Sequence, residues 1–149
     1  MKTLYTVGYA SSTLPEFVHG LRSEGIGVVL DVRDKPISRK PGFSKRALGE
    51  GLETAGIRYE HAGFAGNPKT LPDAARSIPD ALARFEKHLD RHPEILDRLS
   101  DLIAAHQRGG RRVTLLCLER DPAECHRAVL ARRWAATRGR KVVHLGMEE

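Results

Sequence analysis

Short apolar runs alternate with amphipathic stretches along the whole chain of 149 residues. The apolar runs are rich in Val, Leu and Ile and are typical of buried strands. They fall at residues 4–7, 28–30, 57–61, 113–117 and 142–145. Between them, apolar residues recur at helical spacing. This alternation predicts an α/β fold of three layers, with a mainly parallel sheet of about five strands covered by helices on both faces.

Capping residues mark where several of the predicted helices begin. Thr13 with Glu16 forms a capping box before the first helix, and Ser44 is expected to cap the second. The segment 121–124, Asp-Pro-Ala-Glu, supplies a cap, a proline at the first helical position and a capping-box acid for the last helix, expected to end at Arg138. Cys125, His126 and Arg127 then fall in the first turn of that helix.

Length and composition narrow the class of protein. The chain has a mass of 16.5 kDa and a net charge of +6, from 25 basic and 19 acidic residues. These values predict a single α/β domain over residues 1–149. With no apolar run long enough for a membrane span, no signal peptide and two cysteines, we expect a cytoplasmic protein with reduced thiols and no membrane partner.

Polar residues cluster where the predicted strands end. Asp31 and Arg33 follow the second strand, Tyr59 and His61 end the third, and Cys117 and Glu119 end the fourth. The carboxyl ends of parallel strands meet at one edge of a sheet, outside which the functional crevice lies. We therefore expect Asp31, Arg33, Glu119, Cys125 and Arg127 to surround one pocket.

The candidate catalytic residues are carboxylates, thiols and an imidazole: Asp31, Glu119, Cys117, Cys125 and His126. Glu119 would transfer a proton, although it can instead be an ion-pair partner of Arg127 or Arg33. Cys125 is expected to be the more reactive thiol, because helix N–H groups and adjacent positive charge favour a thiolate. Cys117 has the alternative interpretation of a small buried hydrophobic residue.

The candidate anion-binding residues are Arg33, Ser38, Arg39, Tyr59, His61 and Arg127. A guanidinium group can make two parallel hydrogen bonds to a phosphate, and Asp31 would orient that of Arg33. The loop 34–44, which carries Ser38 and Arg39, is expected to cover the pocket. Arg33 can instead form a structural ion pair with Asp31, and Tyr59 and His61 can be packing residues.

Several common motifs are absent from the sequence. It contains no Gly-rich nucleotide-binding loop, no Cys-x5-Arg anion loop and no Cys-x2-Cys zinc spacing. We therefore predict no cofactor and no metal, although Cys117, Cys125, His61, His126 and His144 leave zinc open. Basic residues cluster at Arg111, Arg112, Arg132, Arg133, Arg138, Arg140 and Lys141. They form either a solvated surface or a nucleic-acid contact.

Several of these segments together resemble the domain-of-unknown-function 488 family. The motifs are Thr6-Val7-Gly8-Tyr9, Asp31-Val32-Arg33, Pro36-x-Ser38-Arg39-x-Pro41-Gly42-Phe43-Ser44, Tyr59-x-His61, Leu116-Cys117-x-Glu119, Cys125-His126-Arg127 and Val143-His144. The resemblance implies a small, stand-alone, cytosolic α/β domain whose two cysteines are suspected of functional importance. It implies no particular reaction.

Taken with the strand-end residues, this leads to one main hypothesis and two alternatives. The main hypothesis is an enzyme acting on a phosphate-bearing substrate, either a nucleotide or a nucleic acid. The first alternative is a non-catalytic nucleic-acid-binding module, and the second is a thiol redox or metal-binding protein. The expected partner is accordingly an anionic small molecule or a nucleic acid, and the oligomeric state stays open.

Overall fold

A computed structural model of the chain describes residues 3–67, 78–117, 125–138 and 140–146. Its strands are β1 (Thr3–Gly8), β2 (Ile26–Asp31), β3 (Arg58–His61), β4 (Arg112–Cys117) and β5 (Lys141–Leu145). Its helices are α1 (Leu14–Ser23), α2 (Lys45–Thr54), α3 (Ile78–Arg91), α4 (Glu94–Arg108) and α5 (His126–Arg138), with a 3₁₀ turn at Gly63–Ala65. The strand and helix runs predicted from the sequence all appear.

The five strands form one sheet in the order β3-β2-β4-β1-β5, and every neighbouring pair is parallel. Gly8 is paired with Cys117, and Asp31 is paired with both Leu116 and His61. The carboxyl ends of β1 to β4 therefore lie at one edge of the sheet. The predicted fold class is confirmed, and the sheet is entirely parallel.

Helices cover both faces of the sheet, because successive strand residues point to opposite sides. On one face, Phe17 of α1, Leu48 of α2 and Phe43 pack against Val29 and Leu116. On the other, the α3, α4 and α5 side chains Phe85, Leu99 and Trp134 pack against Val28 and Leu115, among others. We call these the α1–α2 face and the α3–α5 face.

The two helix starts marked by Thr13 and Ser44 behave differently. Thr13 and Glu16 form the predicted capping box, with a hydrogen bond in each direction. Ser44 occupies the cap position of α2, but its hydroxyl makes no capping bond. It accepts from the Ser38 N–H and donates to the Ser38 carbonyl, which closes the loop before α2.

Two predictions about the end of β4 lie outside the described residues: the capping segment 121–124 and Glu119. Within the described part of the chain, α5 begins at His126, so Cys125 immediately precedes the helix rather than lying in its first turn. The Cys125 carbonyl accepts the Ala128 N–H at 3.2 Å, as at a helix start. None of the helices in the described ranges is long and apolar enough to span a bilayer.

Candidate functional site

A buried ion pair lies at the carboxyl end of β2. Asp31 is fully buried and Arg33 nearly so. The Arg33 guanidinium donates to Asp31 from Nε at 2.8 Å and from Nη2 at 2.7 Å, a bidentate pair. Its Nη1 donates to the Tyr9 hydroxyl and to the Phe43 carbonyl. Tyr59 also donates its hydroxyl to Asp31, at 2.6 Å. We call these residues the Asp31 network.

The two charged side chains of the Asp31 network, Asp31 and Arg33, are hydrogen-bonded to each other and to further protein groups. Burial alone would lower the pKa of Arg33, but the hydrogen bonds and charge of Asp31 outweigh it and raise that pKa above its ordinary value. Burial, and then the hydrogen bond to Asp31, raise the pKa of the Tyr59 hydroxyl. These contacts favour the structural alternative for Arg33 and Tyr59, and their anion-binding roles stay a prediction. Asp31 has no exposed surface with which to touch a substrate.

His61 and the loop 34–44 also pack against the protein. Nε2 of His61 donates to the Arg33 carbonyl at 2.7 Å, so His61 supports this backbone rather than projecting freely. The Ser38 hydroxyl accepts the Lys40 N–H, within the loop. Phe43 inserts into the α1–α2 face and stacks on Tyr9 at 4.4 Å. Arg39 is exposed. The loop folds onto the α1–α2 face, which corrects the expectation that it covers a pocket shared with Cys125.

A second buried group, which we call the thiol cluster, consists of Cys117, Cys125 and His126. Cys117 ends β4, Cys125 immediately precedes α5, and His126 is the first residue of α5. Their sulfur atoms and the imidazole nitrogen lie within 4.8 Å of one another. Nδ1 of His126 is 3.4 Å from Sγ of Cys117 and 4.0 Å from Sγ of Cys125. The cysteines carry no disulfide bond.

The surroundings of Cys125 favour its thiolate. A hydrogen bond from the Cys117 thiol is the largest influence; burial opposes it, while His126 and the Arg127 backbone N–H add to it. Together they lower the pKa of Cys125 to about 4. The free N–H groups at the start of a helix stabilise an anion in the same way. The lowered pKa favours the thiolate form of Cys125, and its greater reactivity stays a prediction.

A groove opens from the thiol cluster along α5. It has a volume of about 710 Å³. Cys125, Ala128, Val129, Arg132, Ala135 and Ala136 form its α5 side, Leu82 and Glu86 of α3 one wall, and Arg140, Val142 and His144 the other. Counted from Cys125, the other five positions follow at +3, +4, +7, +10 and +11, a spacing that places them on one helix face. The groove gives Cys125 a route to a ligand, although the residue as a whole is only 1% exposed.

Arg127 and His144 add charge and polarity beside this groove. Arg127 has no exposed surface. Burial, and then the charge of Arg127, lower the pKa of His144. His144 lines the groove, so the positive charge of Arg127 acts close to it. His144 is also hydrogen-bonded through Nδ1 to the buried Thr6 hydroxyl.

The structure brings most of the predicted residues to one edge but does not place them in one pocket. Asp31 and Arg33 do not line the groove that Cys125 borders. Two contacts join the groups: the Tyr9 N–H donates to the Cys117 carbonyl at 3.3 Å, and Nε2 of His126 donates to the Val32 carbonyl at 2.9 Å. Sequence reasoning missed these contacts, because a backbone carbonyl leaves no trace in a side-chain pattern. It also considered His144 only as a possible zinc ligand, although Val143-His144 was among the family-like motifs.

The thiol cluster has the donor types of a soft-metal site. Two thiolates and one imidazole are ligands that zinc accepts in proteins, usually together with a fourth. Within the described residues, these three form the one group of His, Cys, Asp or Glu side chains whose ligand atoms lie close enough together to hold a metal ion. His61 and His144, which the sequence left open as ligands, are not part of it. No cofactor is established by this geometry.

The predicted basic surface on α5 is partly neutralised by α3. Arg132 forms an ion pair with Glu86, and Arg133 pairs with Glu86 and, at 2.9 Å, with Asp90. Arg140 lies over the Trp134 ring and also contacts Gln107. Arg132, Arg133 and Arg140, three of the basic side chains considered for nucleic-acid contact, are thus held against other groups of the protein.

Fold and site together define an α/β protein with a buried thiol pair at the carboxyl edge of a parallel sheet. The family model for DUF488, a domain of unknown function, matches residues 13–134. The chain therefore belongs to the DUF488 family, as its motifs indicated. Among curated proteins, no sequence gives a significant match.

A solved structure shares the fold. It is that of a "putative phosphatase (DUF442)" from Shewanella putrefaciens CN-32, with a TM-score of 0.55 and 15% sequence identity. The alignment covers 91% of this chain but only 64% of the Shewanella chain, less than two thirds of its length. At this identity the likeness concerns the fold alone.

Proposed function

We propose that this protein is an enzyme that acts on a phosphate-bearing substrate, a nucleotide or a nucleic acid, with the Cys125 thiolate as its nucleophile. One observation carries the proposal: Cys125 stands at the start of α5, hydrogen-bonded within the thiol cluster, and borders a groove of about 710 Å³. A thiolate favoured at neutral pH and open to a cavity is an activated nucleophile.

Positive charge beside Cys125 supports a phosphate rather than a neutral substrate. The start of α5 presents backbone N–H groups, which bind phosphate readily. Arg127, which follows the thiol cluster, influences the groove electrostatically, and Arg132 and Arg140 line it farther along. The Shewanella protein with the same fold, whose name proposes phosphatase activity, is consistent with this chemistry.

In the proposed reaction, the Cys125 sulfur attacks phosphorus, an S–P bond forms, and the bond from phosphorus to the ester oxygen breaks. The leaving oxygen takes a proton from Glu119, which keeps the role expected from the sequence, or from water. Water then attacks phosphorus and gives up a proton to the Glu119 carboxylate or to solvent, the S–P bond breaks, and inorganic phosphate leaves with Cys125 again a thiolate. Cys117 and His126 stabilise the thiolate before and after each cycle.

The remaining candidates take supporting or peripheral roles. Asp31, Arg33, Tyr59 and His61 hold the backbone at the end of β2. Arg127 provides the positive field for the phosphate. Ser38 and Arg39 stay candidates for contact with a more distant part of a large substrate, because Arg39 is exposed on its loop.

The test compares the two cysteines in the same assay. Wild-type protein, Cys125→Ser and the matched control Cys117→Ser are incubated with p-nitrophenyl phosphate and with nucleoside monophosphates. We expect release of inorganic phosphate, its loss in Cys125→Ser, and a smaller reduction in Cys117→Ser. A phosphoryl adduct mapped to Cys125 by mass spectrometry after acid quenching would identify the intermediate. Activity retained in Cys125→Ser would refute the proposed nucleophile.

A second candidate function, thiol redox chemistry or metal binding, is favoured by the spacing of the thiol cluster, whose donor atoms lie within 4.8 Å of one another. Elemental analysis of the purified protein and titration with Zn²⁺ test it. Stoichiometric zinc that protects both cysteines from alkylation, with no phosphatase activity, would favour this candidate. Binding of an oligonucleotide that weakens steeply with salt, without turnover, would instead favour the non-catalytic module.

A further inference from the structure

One peptide unit connects the Asp31 network to the thiol cluster. The Arg33 N–H donates to Oδ1 of Asp31 at 3.2 Å, and the Val32 carbonyl of the same peptide accepts from Nε2 of His126 at 2.9 Å. The N–H and C=O of a trans peptide lie in one rigid plane and point in opposite directions. Asp31 and His126 therefore hold this plane from opposite sides.

The hydrogen bond to the Val32 carbonyl determines which ring nitrogen of His126 carries a proton and which one faces the cysteines. A carbonyl oxygen only accepts, so Nε2 must carry a proton. Nδ1 is then the nitrogen that faces the sulfur atoms of Cys117 and Cys125. Chains of hydrogen bonds polarise one another, so a carboxylate on the N–H makes the carbonyl at the other end a stronger acceptor.

The Asp31 carboxylate is held in one orientation relative to the Val32–Arg33 peptide. Oδ1 accepts from both the backbone N–H and Nε of Arg33, while Oδ2 accepts from Arg33 Nη2 and from the Tyr59 hydroxyl. The carboxylate is thereby fixed by four hydrogen bonds, all on buried or half-buried groups. Such a group cannot rotate away from the peptide without losing several of them together.

We propose that Asp31 is a positioning residue for Cys125, acting through the Val32–Arg33 peptide and His126. The chain of groups is carboxylate, peptide, imidazole and thiolate. It resembles the logic of a catalytic triad, in which a carboxylate orients the imidazole that serves the nucleophile, but a peptide stands between the carboxylate and the ring. The inference rests on the proposed function, because it assumes that Cys125 is the reacting group.

The first test measures alkylation of Cys125 by iodoacetamide at pH 7, mapped by mass spectrometry. Asp31→Asn keeps the side-chain shape but removes the charge. We expect about tenfold slower alkylation of Cys125 in this variant, the lower end of what partners behind a functional group contribute. Tyr59→Phe is the matched control, since it removes a hydrogen bond to Oδ2 and leaves the Arg33 N–H bond in place.

Two outcomes of the alkylation test would overturn the inference. One is an unchanged rate in Asp31→Asn. The other is equal slowing in Tyr59→Phe, which would indicate general loosening of the sheet edge rather than transmission through the peptide.

The second test does not depend on whether Asp31→Asn folds. The backbone amide proton of Arg33 is followed by NMR in the wild-type protein and in His126→Leu, whose side chain has no hydrogen-bond donor. Loss of the donor to the Val32 carbonyl should weaken the polarisation of that peptide and move the Arg33 amide proton upfield, by more than the Asp34 amide proton. Equal shifts at the two amides would overturn the inference.

Neither test uses a phosphate ester, so the two proposals can fail separately. If Asp31→Asn slows alkylation but no phosphate ester is hydrolysed, the positioning role holds and the proposed function fails. If Cys125 forms the phosphoryl adduct but Asp31→Asn alkylates at the wild-type rate, the proposed function holds and the positioning role fails.

Discussion

The Asp31 network and the thiol cluster are both buried at the carboxyl edge of the sheet, yet they use burial differently. In the Asp31 network, charged groups of opposite sign neutralise each other through short bonds, and four donor contacts occupy the Arg33 guanidinium. In the thiol cluster, weak sulfur contacts surround a thiolate that borders a groove. Saturated polar groups build a framework, whereas a charged group with access to a cavity can react.

The comparison also explains why charged residue types alone are poor guides to a site. Arginine is the side chain best suited to bind phosphate. In this fold, however, the Arg33 guanidinium is hydrogen-bonded to Asp31, Tyr9 and Phe43. Cys117 and Cys125 are residues that commonly serve as small hydrophobic side chains. Here their shared hydrogen bond makes one of them acidic.

The largest expected difference between the two regions is in activity. Cys125→Ser should lower the rate of phosphate-ester hydrolysis by at least about a thousandfold, because loss of a nucleophile removes the covalent route. The variant should still unfold cooperatively on heating, followed by circular dichroism. If Cys125→Ser melts cooperatively and keeps activity close to wild type, the thiol cluster is not the reacting region, and its contrast with the Asp31 network as a structural framework is wrong.

For stability we expect the opposite ranking of the two regions: a substitution in the Asp31 network should lower the unfolding free energy more than one in the thiol cluster. Asp31→Ala leaves the Arg33 charge buried without its carboxylate, and removing one partner of a buried pair costs about 3–5 kcal/mol of unfolding free energy. Urea denaturation would measure the loss, with Cys117→Ser as the matched substitution in the thiol cluster. A larger loss in Cys117→Ser would mean that the thiol cluster, not the Asp31 network, holds this edge together.

The pH dependence of alkylation sharpens the contrast within the thiol cluster. Because the pKa of Cys125 is lowered to about 4, its thiolate persists as the pH falls. The rate of its reaction with iodoacetamide should stay nearly constant from about pH 8 to 6 and fall as the pH approaches 4. An ordinary thiol, with a pKa near 8.5, loses about tenfold in rate per unit below that value. A midpoint near pH 8 for Cys125 would contradict its assignment as the thiolate.

The order of elements could be predicted from the sequence because each strand and helix carries its own local signal. The apolar runs identified the strands, and the capping box at Thr13 marked the start of α1. At Ser44 the same kind of signal marked the correct position but the wrong interaction, because the hydroxyl bonds to Ser38 in the preceding loop. A cap residue shows where a helix begins more dependably than it shows its own partner.

The edge on which the candidate site lies was also predictable, but its division between two faces was not recognised. Side chains alternate along a strand, so Asp31 shares the α1–α2 face with Val29, and Cys117 shares the α3–α5 face with Leu115. That alternation is present in the sequence and argues against a single pocket. The contact between His126 and the Val32 carbonyl depends on how α5 packs over the sheet, which no local pattern encodes.

The smallest expected effect concerns Arg39, which belongs to neither region. Arg39→Ala should leave the unfolding free energy within about 0.5 kcal/mol of wild type, because the side chain is exposed and the loop is held by Ser38, Ser44 and Phe43. If Arg39 contacts a distant phosphate of a large substrate, the substitution should raise KM about two- to fivefold, as for an exposed ion pair, and leave kcat unchanged. Arg39→Lys should restore most of the affinity, since a single charge suffices at an exposed contact.

Steady-state kinetics of Arg39→Ala with a short oligonucleotide and with a nucleoside monophosphate show whether Arg39 contacts a distant part of a large substrate or acts near Cys125. A change in KM for the oligonucleotide alone would extend the substrate site from the thiol cluster to the loop on the opposite face. An equal change for both substrates would instead require Arg39 to act near Cys125, which is inconsistent with the packing of its loop against the α1–α2 face.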